Sequence, residues 1–101
     1  MLAAAAFADL RGYIKRRIAF AKYRVGDTYH KTALTDVSIL ADGTVRAQLS
    51  IIPGDTVTVN RVELYNSDST LWAYQDCNIT ISTGQTGILY WFDFSVVEEE
   101  G

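Results

Sequence analysis

The sequence predicts a mainly β domain: an antiparallel β-sandwich of about seven short strands preceded by one N-terminal α-helix. Apolar residues recur at helical steps of three and four at the start of the chain. From residue 20 onward they alternate with polar residues in short runs. Turn signals separate those runs at intervals of about 8–12 residues. A chain of 101 residues is one domain, and hydrophobic and charged fractions of 49% and 21% suit a globular core that needs no staples. The predicted organisation is a helix over residues 1–19, a β-sandwich over 20–97 and an acidic tail over 98–101.

The helix rests on Ala3, Phe7, Leu10, Ile14, Ile18 and Ala21, one apolar stripe, with Arg11, Lys15, Arg16 and Arg17 mostly outside it. Its larger apolar side chains are expected to pack on the sheet. Runs 20–25 and 28–33 flank Gly26-Asp27, a pair suited to a type II′ hairpin. Runs 36–40 and 44–52 flank Ala41-Asp42-Gly43, where Asp-Gly is a hairpin signal. Pro53-Gly54-Asp55 is a turn. In run 57–65 the apolar phase shifts from Val57 and Val59 to Val62 and Leu64, which predicts a bulge near Asn60-Arg61. Runs 71–76 and 79–82 are two strands or one bent strand, and residues 83–87 turn the chain into a final run, 88–97.

That final run carries Ile88, Tyr90, Phe92, Phe94 and Val96 on one face, and Leu89, Trp91, Asp93, Ser95 and Val97 on the other. Apolar side chains on both faces predict a strand inside the sheet, paired on both edges. Tyr90, Phe92 and Phe94 are then core residues. Leu89 and Trp91 lie under the helix or against another subunit. Glu98, Glu99 and Glu100 act as a hydrated stop to edge pairing.

The residues do not assemble a catalytic signature. His30 is the single histidine, which excludes a multi-histidine metal site. Cys77 is the single cysteine, so no internal disulfide forms. That suits a reducing compartment, or a particle assembled in one. Asp76 and Asp93 are carboxylates that sequence alone cannot pair. Asn78-Ile79-Thr80 is a glycosylation triplet that matters only in a secreted eukaryotic protein. The turn at 83–87 leads into a strand and so lacks the helix N-terminus that phosphate loops use. The opening residues lack the charged start of a signal peptide, and no run approaches the roughly 18 apolar residues of a membrane span. No cofactor and no metal are expected.

Charge is divided along the chain. Residues 1–31 hold seven basic residues against Asp9 and Asp27, leaving +5; residues 32–101 hold two basic residues against ten acidic ones, leaving −8. The basic start either folds against the acidic remainder, or packs head to tail on another copy or an acidic partner. The net charge of −3 argues against nucleic-acid binding. Interface candidates are the helix cations Arg11, Lys15, Arg16 and Arg17 together with Trp72, Tyr74 and Trp91, since Trp and Tyr anchor protein contacts and stack on sugars.

Residues 59–94 also carry a pattern: Val59, Val62, Leu64-Tyr65, a short polar loop, Leu71-Trp72-Ala73, a turn containing Gly, then Gly87-Ile88-Leu89-Tyr90, Phe92 and Phe94. This resembles small proteins encoded in the tail-gene modules of siphophages of Gram-positive hosts. The short helix and the Asp-Gly hairpin fit the same layout. The resemblance implies a helix plus β-sandwich similar to the shoulder domain of phage receptor-binding proteins. It also implies a non-enzymatic structural or assembly role in a tail or baseplate. The expected partners are other tail or baseplate proteins or further copies of the chain, not nucleic acid and not a membrane. The expected location is the virion tail, or the infected host cytoplasm during assembly. The alternative is a carbohydrate-binding module that recognises a host cell-wall saccharide through Trp72, Tyr74 and Trp91.

Overall fold

A computed structural model describes residues 2–82 and 87–95. One helix, α1 (Ala4–Arg17), is followed by six strands: β1 (Ile18–Val25), β2 (Thr28–Ile39), β3 (Val45–Ile51), β4 (Val57–Asn66), β5 (Leu71–Ile81) and β6 (Ile88–Phe94). All pairings are antiparallel, in the order β5-β4-β1-β2-β3-β6. The mainly β class with one N-terminal helix therefore holds. The two layers around the core are halves of one sheet, and β2 belongs to both. Its first half pairs with β1 and its second with β3, across a register shift between Leu34 and Asp36. That irregularity replaces the expected break between two strands. Runs 71–76 and 79–82 likewise merge into one strand, β5, so the described residues hold six strands. The sheet is nearly closed. Cys77 and Ile79 of β5 and Ile88, Tyr90 and Phe92 of β6 pack against the same core from the two ends of the sheet.

The core lies inside this curl. Val45, Ala47, Leu49 and Ile51 of β3 alternate inward with no exposure, and Ala21, Val59, Val62, Leu64 and Ile81 meet them from β1, β4 and β5. The phase change in β4 is a bulge: both its partners shift register around Asn60, whose neighbours Val59 and Arg61 stay paired. The extra residue is put to use, because the Asn60 side chain donates to the Gly26 carbonyl at 3.0 Å and accepts from Arg24 Nε at 2.7 Å. Gly26 has φ +60° while Asp27 keeps a negative φ, which fits a type II′ turn. At the other end, Gly43 N donates to the Leu40 carbonyl, and Asp42 accepts from Thr44 N at 2.9 Å, a bond that holds the Asp42 carboxyl below its usual range. Gly87 has φ +105°, and a Cβ there would stand 2.6 Å from the Ile51 carbonyl oxygen. Only glycine lets β6 start so close to β3.

The helix departs from its expected role. It has no buried residue, and Leu10 is 45% exposed. Ile14 reaches the core edge, while Ile18 is buried as the first residue of β1. No loop separates helix and strand, and the helix touches β1, β2 and β3 without burying its apolar stripe. The molecule is elongated, 50 × 25 × 25 Å, with a radius of gyration of 15.5 Å against about 13 Å for a compact chain of this length. The helix C-terminus is tied down through polar groups instead. Arg17 donates to Ser67 Oγ at 2.8 Å and pairs with Asp68, and Ser67 N donates to the Arg17 carbonyl at 2.9 Å. Buried Asn66 shapes that loop by accepting from Asp68 N and Thr70 N.

The final strand is also corrected. Among the described residues β6 pairs only with β3, which makes it an edge strand. Ile88, Tyr90, Phe92 and Phe94 pack toward the core as expected, but Leu89 and Trp91 are exposed rather than buried under the helix. Apolar side chains on both faces predict a strand paired on both edges, and the observed register places β6 at the edge instead. Residues 96–101, with the three glutamates, lie outside the described residues.

Candidate interaction surfaces

The outward faces of β5, β4, β1 and β2 form three rungs of cross-strand neighbours. Ala33, Phe20 and Tyr65 make the first. Lys31, Lys22, Glu63 and Tyr74 make the second, and Tyr29, Arg24, Arg61 and Asp76 the third. Period-two alternation puts these side chains on one face. Phe20 and Tyr65 stack in parallel, with ring centroids 5.0 Å apart. Lys31 Nζ stands 4.3 Å from the Phe20 centroid and Lys22 Nζ 4.8 Å from that of Tyr65. The Arg61 guanidinium lies 3.9 Å from the Tyr74 centroid, and that of Arg24 5.9 Å from Tyr29. Such contacts contribute about 0.5–1 kcal/mol each at exposed sites.

Glu63 is the keystone of this face. It is only 4% exposed, and both carboxylate oxygens are used. Oε2 accepts from Arg61 Nε at 2.8 Å and Oε1 accepts from the Tyr65 hydroxyl at 2.6 Å. Burial, and then the bond to Glu63, push the Tyr65 hydroxyl up to about 12. Arg61 also reaches Asp76 at 3.2 Å, so one arginine holds both acids of the face. Among the described residues, Lys22, Arg24 and Lys31 form no ion pair with a carboxylate. Lys22 and Lys31 face each other directly across the β1–β2 ladder. Like charges so placed destabilise a sheet.

The outward face of β3 and β6 differs in kind. Arg46 forks onto Asp93 at 2.8 and 2.9 Å and lies 5.0 Å from the Trp91 ring centroid. That fork holds the Asp93 carboxyl below its usual range. Beside it Ile52, Leu89 and Trp91 form an apolar strip, exposed by 69%, 59% and 48%. A shallow cleft lined by Ser50, Ile52, Gly87, Ile88 and Leu89 lies at one end of the strip.

The sequence-named candidates fall into three separate places. Arg11, Lys15, Arg16 and Arg17 stay on the helix. The Arg11 guanidinium fills the space where a Cβ on Gly43 would sit, at 2.7 Å, and Arg17 is bound to the β4–β5 loop. Lys15 and Arg16 are exposed. Trp72 is half-buried and packs toward the core. Tyr74 is exposed on β5 under Arg61, and Trp91 is exposed on β6 beside Arg46. Sequence reasoning missed Phe20, Lys22, Arg24, Tyr29, Lys31 and Tyr65 as one surface. Its signal was present as two alternating rows, Phe20-Lys22-Arg24 and Tyr29-Lys31, mirrored across the Gly26-Asp27 turn. His30 stacks on Tyr23 at 5.1 Å, and among the described residues no three His, Cys, Asp or Glu side chains could hold a metal ion.

No family model matches the chain, and no curated protein and no solved structure matches it.

Proposed function

We propose that this chain is a non-enzymatic structural or assembly protein that works through protein contacts, in the tail or baseplate of a bacteriophage. The sequence pattern of residues 59–94 supplies the setting. The observation that carries the mode of action is the apolar strip formed by Leu89 and Trp91 of edge strand β6 with Ile52 just past the end of β3. An edge strand has unpaired backbone groups, and adjacent exposed apolar side chains give it a surface that association would cover. Trp91, propped by the Arg46–Asp93 pair, is suited to anchor such a contact.

The test is co-expression with the products of the flanking tail genes, followed by size-exclusion chromatography. The wild-type chain is expected to elute in a complex. The double variant Leu89→Ser with Trp91→Ser should elute alone while keeping its melting temperature. Elution of the wild type alone in every combination would reject the reading. A second reading, binding of a host cell-wall saccharide, rests on Tyr74 and Trp91, exposed rings that each share an arginine with an aspartate. The guanidinium over each ring and the half-buried Trp72 leave it less stacking surface. Quenching of Trp91 fluorescence by soluble cell-wall saccharides would favour it.

A further inference from the structure

We infer that the outward face of β1 and β2 is a docking surface for an extended acidic segment of a partner protein, with Lys22, Lys31 and Arg24 receiving its carboxylates. The inference rests on the reading that the chain works through protein contacts, and it names the chemistry of one contact.

Lys22 and Lys31 are directly opposed, yet among the described residues neither meets a carboxylate within ion-pairing distance. The nearby acid, Glu63, is already committed on both oxygens. Arg61 takes up Glu63 and Asp76 together, and the face as a whole, Lys22, Arg24, Lys31 and Arg61 against Glu63 and Asp76, keeps an excess of two positive charges that sits on β1 and β2. An arrangement that weakens the sheet in the free chain is relieved when an anion arrives.

The rings select the kind of anion. Phe20 and Tyr65 are stacked on each other, and ammonium groups stand over them. A nucleobase would have to displace those ammonium groups to stack, whereas a carboxylate meets them as they stand. The net charge of −3 adds a long-range repulsion toward a polyanionic backbone. Spacing selects an extended segment. Lys22 and Arg24 alternate on one strand, about 6.6 Å apart at the backbone, which is also the distance between alternate residues of an extended peptide. Acidic residues at every second position of a partner strand would therefore fall in step with Lys22 and Arg24. Lys31, one strand over at about 5 Å, flanks the same position as Lys22.

The experiment uses the full chain and fluorescence anisotropy. The probe is a fluorescein-labelled peptide with glutamate at alternate positions. Its glutamine counterpart and a single-stranded oligonucleotide of equal charge are compared with it. The glutamate peptide is expected to bind best, and to weaken as salt rises through about 0.15 M. The variant Lys22→Gln with Lys31→Gln should lose about tenfold in affinity. Its melting temperature should stay near that of the wild type, because relief of the opposed like charges offsets the loss of the two ring contacts. The variant Lys15→Gln with Arg16→Gln, which removes the same charge from the helix, should lose much less. Equal loss in the two variants would show unspecific attraction and overturn the proposal. So would tighter binding of the oligonucleotide, or no binding of the peptide at low salt. The β6 variants that test the proposed function leave this face untouched, so the two readings fail separately.

Discussion

Strands β4 and β6 reverse what their compositions suggest. β6 is apolar on both faces and stands at the edge; β4 carries Arg61, Glu63 and Asn60 and lies inside, paired to β1 and β5. The outward face of β4 is covered by its own chemistry. Arg61 lies across Tyr74, and Tyr65 stacks on Phe20. Glu63, beneath them, is 4% exposed. Among the described residues the outward face of β6 has only the Arg46–Asp93 fork, and Leu89 and Trp91 remain open. Burial is therefore set by pairing and by mutual cover among side chains, and an apolar strand can be left for something else to cover.

The widest contrast is between inward and outward leucines. Leu64→Ala on β4, a site with no exposure, should destabilise the fold by about 2–5 kcal/mol. Leu89→Ala on β6 should stay within about 0.5 kcal/mol. Urea denaturation of both variants measures the difference. Similar values would mean that the β6 strip is packed within the isolated chain.

A smaller effect tests whether Glu63 organises the β4 face. Glu63→Ala should destabilise by about 1–3 kcal/mol, because the Tyr65 hydroxyl and Arg61 Nε lose their acceptor. Tyr65 supplies the pH signature. Its folded pKa is raised to about 12 from an ordinary 10, so neutral Tyr65 is favoured by folding. The stabilisation is fully present below pH 10 and is lost as pH rises toward 12. Thermal melts across that window should show a fall in stability that Tyr65→Phe diminishes. An unchanged alkaline profile in Tyr65→Phe would place the effect elsewhere.

The smallest effect separates the sheet from the helix. Leu10→Ala should change stability by less than about 1 kcal/mol, since the side chain is 45% exposed. A loss of several kcal/mol would mean that the helix is held far more firmly than its open apolar side suggests.

Local chemistry was the legible part of this fold. Gly26-Asp27 and Asp42-Gly43 announce their hairpins because each turn needs a positive φ at the glycine. The Asn60 bulge shows as a change of phase within one strand. Three things were not legible. The long β2 hides behind an irregularity at Leu34–Asp36 that looks like a strand end. The edge position of β6 depends on which strands close the sheet, which its own residues do not state. The helix stripe continues into Ile18 and Ala21, which belong to β1, so the periodicity overstated what the helix itself buries. Among the surface residues, Tyr74 and Trp91 were found by side-chain type alone. The basic and aromatic face was not, because Phe20 meets Tyr65 only through a pairing that joins strands far apart in the chain.

The strand order also implies a sequence of events during synthesis. The first half of the chain forms the middle of the sheet, the β1-β2-β3 meander, using only neighbours along the chain. The second half is divided between the two sides: β4 with β5 joins at β1, and β6 joins at β3. A chain emerging from the ribosome as far as Ile51 can close its two local hairpins, and at that stage it presents two unfinished edges. The remaining residues must dress one edge and then travel to the other. β6, the last of the described strands in chain order, completes the sheet on the side where Leu89 and Trp91 stay uncovered.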